Sequence, residues 1–312
     1  MTAIAIRIRR AVFGLDPREA LFERRGFASA AAASQARLED IGRTFIAGYN
    51  AWLARDLGGE LSRIPTELHG FAIEGAAMAS ALVDRFAPWR RDRWAQLLVD
   101  RPHHVYMIHV GAGWAVARLG GSLRRAIARR DQLLGWLVAD GWGFHQTYFH
   151  PAQWASGKRR VPASWGYAAR TVDQGVGRGL WFVAGADPAR VAGHIARFSS
   201  ERHADLWSGV GLAATYAGGC TPSDLAALPE LAGPFRAQLA QGAAFAATAR
   251  HVAGNPAAHT EAAAAALAGR SAEDLARLSH ELQPAPPHDP AGADYETWRT
   301  RLAEALATRR AA

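Results

Sequence analysis

Apolar side chains recur at helical spacing along almost the whole chain. Leu38, Ile41 and Phe45, for example, fall on one face of a helix, and the same period continues in most later segments. The only run that favours a strand, residues 180–183, is too short to found a sheet. These patterns predict an all-α protein, built as a helical bundle or array.

Two segments separated by roughly 130 residues resemble each other, which is typical of an internal duplication. In residues 67–78 and 201–212, the matching pairs are Glu67 and Glu201, His69 and His203, and Gly75 and Gly209. We interpret the match as two helical halves, at about residues 34–150 and 166–282, related by a pseudo-twofold axis. Chance similarity in a chain rich in glycine and alanine is the alternative.

The halves are expected to share one core, so that residues 1–312 form a single large domain. Residues 157–164 (GKRRVPAS) are the predicted linker between them. A proline-rich segment at residues 283–294 then leads to a last amphipathic helix at residues 295–310.

Small residues lie inside several predicted helices, among them Gly75, Gly209 and Gly211. A glycine inside a helix costs about 1 kcal/mol relative to alanine. Its presence therefore indicates that another backbone, or a ligand, comes close. We favour close helix packing, although a narrow apolar slot between helices would need the same residues.

Charge and cysteine content exclude several classes of protein. The chain has a formal net charge of +8, but its arginines are spread along the helices, which does not indicate a nucleic-acid site. The single Cys220 excludes an internal disulfide and a cysteine-based zinc site. Without a signal-peptide pattern or a run of about 18 apolar residues, a cytoplasmic protein is expected, at most peripheral to a membrane.

Residues 139–151 (ADGWGFHQTYFHP) combine aromatic rings, histidines and glycines more densely than any other segment. His145 and His150 are five residues apart and do not share a helix face as a pair of metal ligands would, so no metal site is predicted. Ligands from separate helices are an alternative that elemental analysis would test. No cofactor is assigned.

Histidines in core-like helices, with one neighbouring carboxyl, are the candidate catalytic groups for proton transfer. They are His69, Glu74, His109, His145, His150 and His203. For the two Glu-x-His pairs, capping of a helix start is the interpretation we favour over acid–base chemistry.

An aromatic lining opened by glycines would suit a flat, conjugated, apolar ligand. The candidate binding residues are Trp114, Trp142, Phe144, Tyr148, Trp165 and Trp207, with Asp173 and Arg178 as orienting groups that could pair with each other. The glycine-rich run beside them lacks the Lys-Ser/Thr of a phosphate loop, and Ser208 lacks the first glycine of a nucleophile elbow.

Several motifs distributed over the chain carry a family resemblance. They are FGLDP (residues 13–17), RRGF (24–27), GFAIEGAAM (70–78), HVYMIHVGAGW (104–114), DGWGFH (140–145), DQG (173–175), RGLW (178–181), ADLWSGVG (204–211) and GNPAAHT (254–260). Together they resemble domain-of-unknown-function family 1702, which includes the UnbL-type proteins of enediyne natural-product clusters. The resemblance implies a role beside the enediyne polyketide synthase, together with proteins of the same cassette, one of them membrane-embedded. It implies no reaction and no catalytic residues.

Two functions are therefore expected as alternatives. The first is an accessory protein that binds or processes an apolar polyene intermediate in a cleft between the helical halves. The second is a non-catalytic scaffold that holds the synthase or the membrane partner through surface arginines, namely Arg124, Arg125, Arg129 and Arg130.

Overall fold

The computed structural model describes residues 3–86 and 92–307, and all regular secondary structure in these two ranges is helical. In chain order the first α-helices are α1 (Ala3–Phe13), α2 (Phe22–Arg25), α3 (Ala32–Ala54), α4 (Leu57–Leu61), α5 (His69–Phe86), α6 (Arg93–Asp100), α7 (Val105–Leu119), α8 (Leu123–Ala128) and α9 (Leu137–Phe149). They continue with α10 (Pro151–Trp154), α11 (Ala168–Val183), α12 (Pro188–Ile195), α13 (His203–Ala217), α14 (Pro222–Ala232), α15 (Arg236–Ala253), α16 (Ala258–Ala268), α17 (Ala272–Glu281) and α18 (Ala293–Ala307). The prediction of an all-α protein is confirmed, and the run that favoured a strand lies inside α11.

The long helices α3, α5, α7, α9, α11, α13 and α15 pack in chain order, each against the next. The series closes on itself, because α13 returns to α3 and α5. The Nε of Arg37 on α3 donates to the carbonyl of Ala217 on α13 at 3.1 Å, and the rings of Phe71 on α5 and Tyr216 on α13 are 5.1 Å apart. The helices from α3 to α13 therefore form a ring, while α16, α17 and α18 pack against the outer helix α15.

Pairs of glycines two residues apart make close contacts between successive long helices. Such pairs occur in α7 (Gly111 and Gly113), α9 (Gly141 and Gly143), α11 (Gly175 and Gly177) and α13 (Gly209 and Gly211). In each pair the first glycine faces a backbone carbonyl of the preceding long helix in the series α3, α5, α7, α9, α11, α13 and α15, and the second faces one of the following long helix. Two successive steps of 100° turn the helix by about 200°, which explains the opposite directions. A Cβ at any of these positions would lie 1.9–2.3 Å from the facing carbonyl oxygen.

The glycines thus serve close helix packing. Gly75, in the first predicted half, and Gly209, in the second, each face the preceding long helix, α3 and α11 respectively, so these matched positions have the same packing role. The same role recurs in the intervening helices, roughly every 30 to 36 residues. The division into two duplicated halves stays a prediction.

The C-terminal helix begins slightly earlier than predicted. It is α18, Ala293–Ala307, and the predicted residues 308–310 lie outside the described residues. The indole of Trp298 anchors it, donating to the carbonyl of Ser279 at 2.8 Å and packing on the ring of Phe245 at 4.5 Å. Among the described helices, none combines the length and the apolar composition needed to cross a membrane.

Candidate functional site

A cavity of about 350 Å³ lies inside the ring of helices, and we call it the central cavity. All six ring helices supply side chains to it: Ile41 and Phe45 from α3, Phe71 and Glu74 from α5, Trp114 from α7, Phe144 and Tyr148 from α9, Arg178 and Phe182 from α11, and Leu212, Ala213 and Tyr216 from α13. Its mouth lies beside the exposed Gly14 and Arg118 and the half-buried Glu19.

Aromatic rings form most of the cavity wall, arranged around Trp114. The centroid of its ring is 4.7 Å from that of Phe45, 4.9 Å from Phe144 and 5.8 Å from Tyr148. Edge-to-face and tilted contacts of this kind hold rings in fixed orientations. The wall is therefore a rigid apolar surface that suits a flat ligand.

The carboxyl of Glu74 is a buried acidic group in this apolar surrounding. It is 1 % exposed, and its Oε1 has no hydrogen-bond partner among the described residues. Burial raises the pKa of Glu74 to about 7, and the charge of Asp140 raises it as well, against the opposing charge of Arg178. The Trp114 indole also favours the ionised form, without making a well-formed hydrogen bond. Glu74 can therefore exchange a proton near neutral pH.

The guanidinium of Arg178 is the buried cation of the cavity. Its Nη1 forms an ion pair with Oδ1 of the fully buried Asp140, whose Oδ2 accepts from Nε2 of Gln174 at 2.8 Å. Burial alone would lower the pKa of Arg178, but the nearby carboxyls of Asp140 and Glu74 raise it. The group stays charged, and Asp140 fixes its position.

A row of polar side chains continues from this ion pair through the neighbouring helices. The hydroxyl of Ser208 lies 3.4 Å from Oε1 of Gln174 and donates to Oε1 of Gln241 at 2.7 Å. Asp140, Gln174 and Ser208 each directly precede the first glycine of a packing pair, as Glu74 precedes Gly75. Sequence reasoning missed Asp140 and Gln174, although this shared position was a signal that could have found them.

Three of the predicted histidines lie toward the surface, and none of them lines the described cavity. The Nε2 atoms of His69 and His203 are 2.9 Å from the carbonyl oxygens of Leu61 and Phe198, respectively. His150 is exposed at the end of α9. The hydrogen bonds of His69 and His203 to nearby backbone carbonyls give these two residues a structural role.

The two buried histidines also lie outside the described lining of the central cavity. Nδ1 of His109 is 2.8 Å from the carbonyl of Val105 in the preceding helical turn. The ring centroid of His145 is 5.5 Å from that of Trp114, and neither ring nitrogen of His145 has a hydrogen-bond partner among the described residues. Burial lowers the pKa of His109 to about 4 and that of His145 to about 3, so both rings are neutral at pH 7.

The predicted binding residues separate into two sets. Four of them line the cavity: Trp114, Phe144, Tyr148 and Arg178. Trp142 instead packs on the rings of Trp154 and Trp165, at 5.4 and 5.3 Å. Trp207 is buried on α13 and is absent from the described lining.

The hypothesis that Asp173 pairs with Arg178 is wrong. Asp173 accepts from Nε of Arg202 at 2.9 Å, whereas Arg178 pairs with Asp140. Five residues along a helix correspond to a rotation of about 140°, so the two side chains leave α11 on different sides. In the described residues, no group of three or more histidine, cysteine or acidic side chains is placed to hold a metal ion.

The raised pKa of Glu74 predicts a pH-dependent stability difference between the protein and its Glu74→Gln variant. The folded state keeps the Glu74 proton up to about pH 7, whereas the unfolded state loses it near 4.5. The stabilising contribution of the carboxyl is therefore complete below pH 4.5 and is lost as the pH rises to 7. Relative to the variant, the protein should lose about 3 kcal/mol over this range, as measured by urea unfolding at several pH values. A difference independent of pH would contradict the raised pKa.

Comparison with known proteins yields one match. No curated protein matches the chain. No solved structure matches it either. One family model does, over residues 4–306, and its description is "Protein of unknown function (DUF1702)". Since this match spans nearly all of the sequence, the chain belongs to the DUF1702 family of proteins of unknown function.

Proposed function

We propose that the protein binds an apolar, unsaturated molecule in the central cavity. The observation that supports this most directly is the aromatic-walled space of about 350 Å³ inside the ring of helices. Ligand pockets typically measure about 300–1,000 Å³ and are apolar with a few polar groups. Protein interiors without such a role are close-packed, with few voids larger than a water molecule.

The lining indicates the chemistry of the ligand. Rigid rings around Trp114 favour a flat, conjugated body over a flexible polar one. At the buried end, Arg178 offers a fixed positive charge that suits a carbonyl or carboxylate oxygen. The proposed ligand is thus a conjugated chain with one oxygen-bearing end.

We further propose that the natural ligand is a polyene intermediate of enediyne-type polyketide synthesis. Other proteins of the same cassette, one of them membrane-embedded, would deliver or collect it. This context is supported by the sequence motifs that resemble the UnbL-type proteins, and the cavity offers matching chemistry.

The alternative role, a scaffold that docks the synthase or a membrane partner, would use the basic surface of α8. Arg124 and Arg125 on α8, and Arg129 directly after it, are exposed. The sequence predicts Arg130 to be a free surface arginine as well. In the structure Arg130 is half-buried, and its guanidinium lies 3.5 Å from the centroid of the Trp94 ring. A scaffold has no need of the central cavity, which therefore favours ligand binding.

Filling the cavity should abolish binding. In the Ala213→Phe variant a benzyl group enters the space inside the ring, and we expect at least ten-fold weaker binding of a conjugated tetraene fatty acid. Quenching of tryptophan fluorescence measures the affinity. The matched control is Ala227→Phe, on an exposed position of α14, which should bind as the unsubstituted protein does. Equal affinities for the two variants would rule out the central cavity as the site.

A further inference from the structure

The lining of the central cavity includes a buried carboxyl, Glu74, and a buried guanidinium, Arg178. Ligand binding alone does not require both groups. We propose that Glu74 and Arg178 make the protein an isomerase, which moves a proton along an unsaturated carbonyl compound bound in the cavity. Glu74 is the catalytic base and acid, and Arg178 binds the carbonyl oxygen. This assignment rests on the proposed binding function and names the reaction of the same site.

The position of Glu74 satisfies the first requirement of proton transfer at carbon. Its carboxyl lies in the cavity lining and is 1 % exposed, and Oε1 has no hydrogen-bond partner among the described residues. An unpartnered oxygen in an apolar wall costs stability unless a ligand meets it. The charged groups that act on Glu74 are Arg178 and Asp140, and the Trp114 indole is beside it.

Arg178 satisfies the second requirement, the stabilisation of negative charge on oxygen. Its Nη1 is held by Asp140, which Gln174 holds in turn, so the guanidinium is fixed before a ligand arrives. The guanidinium also stacks over the ring of Phe144, 4.7 Å from its centroid. A fixed cation in a dry site stabilises a developing oxyanion far more than the same cation does in water.

The reaction balances without any further reactant. The carboxylate of Glu74 takes a proton from the carbon between the carbonyl and a β,γ double bond, which breaks a C–H bond and forms an O–H bond. The electron pair moves into a dienolate whose oxygen faces Arg178. Glu74 then returns the proton to the γ-carbon, so that the double bond ends in conjugation with the carbonyl. No electron is gained or lost.

Deuterium incorporation tests this assignment. The probe is the N-acetylcysteamine thioester of 3-decenoic acid, incubated with the full-length protein in D₂O and followed by mass spectrometry and by the absorbance of the conjugated product. We expect exchange and isomerisation with the unsubstituted protein. The Glu74→Gln variant should lose about 100-fold or more of the rate, since positioned acid–base groups contribute about 10²–10⁴-fold. Binding of the tetraene fatty acid by the same variant shows that it is folded.

Two further variants separate catalysis from folding. His145→Gln replaces a titratable group that is also buried but lies outside the described cavity lining, and it should keep the full rate. Glu74→Asp keeps the carboxyl and should recover part of the rate lost in Glu74→Gln, with a rate that still rises as the pH passes through the titration of the carboxyl.

The outcomes distinguish the two proposals. If the protein binds the tetraene but catalyses no exchange above buffer, or if Glu74→Gln keeps more than a tenth of the rate, the isomerase assignment is wrong and binding stands. If the protein binds neither the tetraene nor the thioester, the binding function and the isomerase assignment both fail.

Discussion

Replacing Asp140 by leucine should lower the free energy of unfolding by about 3–5 kcal/mol, the cost expected when one partner of a buried ion pair is removed. Asp140 is fully buried, and it compensates the charge of Arg178 while accepting from Gln174. Without it, the guanidinium remains in the core with no anion bonded to it, and one amide group loses its acceptor. Urea unfolding at pH 7 measures the loss.

A second substitution sharpens this test. Arg178→Met in the Asp140→Leu background removes the uncompensated charge, and it should restore at least half of the lost stability, because apolar residues often replace a buried ion pair at little cost. The surface control is Glu281→Ala, which breaks the exposed ion pair with Arg277 and should leave stability nearly unchanged. If the double variant were no more stable than Asp140→Leu alone, the loss would not come from the uncompensated charge.

The second large effect is expected at a helix crossing. Gly175→Ala should lower the free energy of unfolding by about 3 kcal/mol, at the upper end of overpacking costs. The new Cβ would lie 1.9 Å from the carbonyl oxygen of Asp140 and 2.8 Å from the backbone nitrogen of Phe144. Both obstacles are backbone atoms of α9, so no side-chain rotation relieves them and the two helices must move apart.

Gly193 provides the matched control for this substitution. It also lies inside a helix, but on the exposed side of α12, and a Cβ there would meet no atom within 4 Å. Gly193→Ala should therefore raise the free energy of unfolding by up to about 1 kcal/mol through helix propensity. The two variants should differ by about 4 kcal/mol in urea unfolding. Destabilisation of the same size in both would mean that the crossing contact is not the cause.

The roles of the histidines could not be predicted from the sequence. Their number and their helical positions made them candidates for catalysis, but hydrogen bonds of His69, His109 and His203 to nearby carbonyls give these three a local structural role. The prediction for the aromatic residues was more accurate, because Trp114, Phe144 and Tyr148 line the cavity. An aromatic side chain contributes apolar surface wherever it is buried. A histidine can act in catalysis only if its ring reaches a bound ligand.

The sequence by itself determined the helices and the small residues at their crossings. Local periodicity and the cost of a helical glycine are properties of a short segment, so they could be read before any tertiary contact was known. Only the tertiary structure decided that Glu74 and Arg178 line one cavity and that Arg178 pairs with Asp140 rather than Asp173. The physical reason is that helical phase shows which face of a helix is buried, but not which helix or empty space that face meets. The side chains of this site come from six helices distributed along the chain, and only the packing of the ring brings them together.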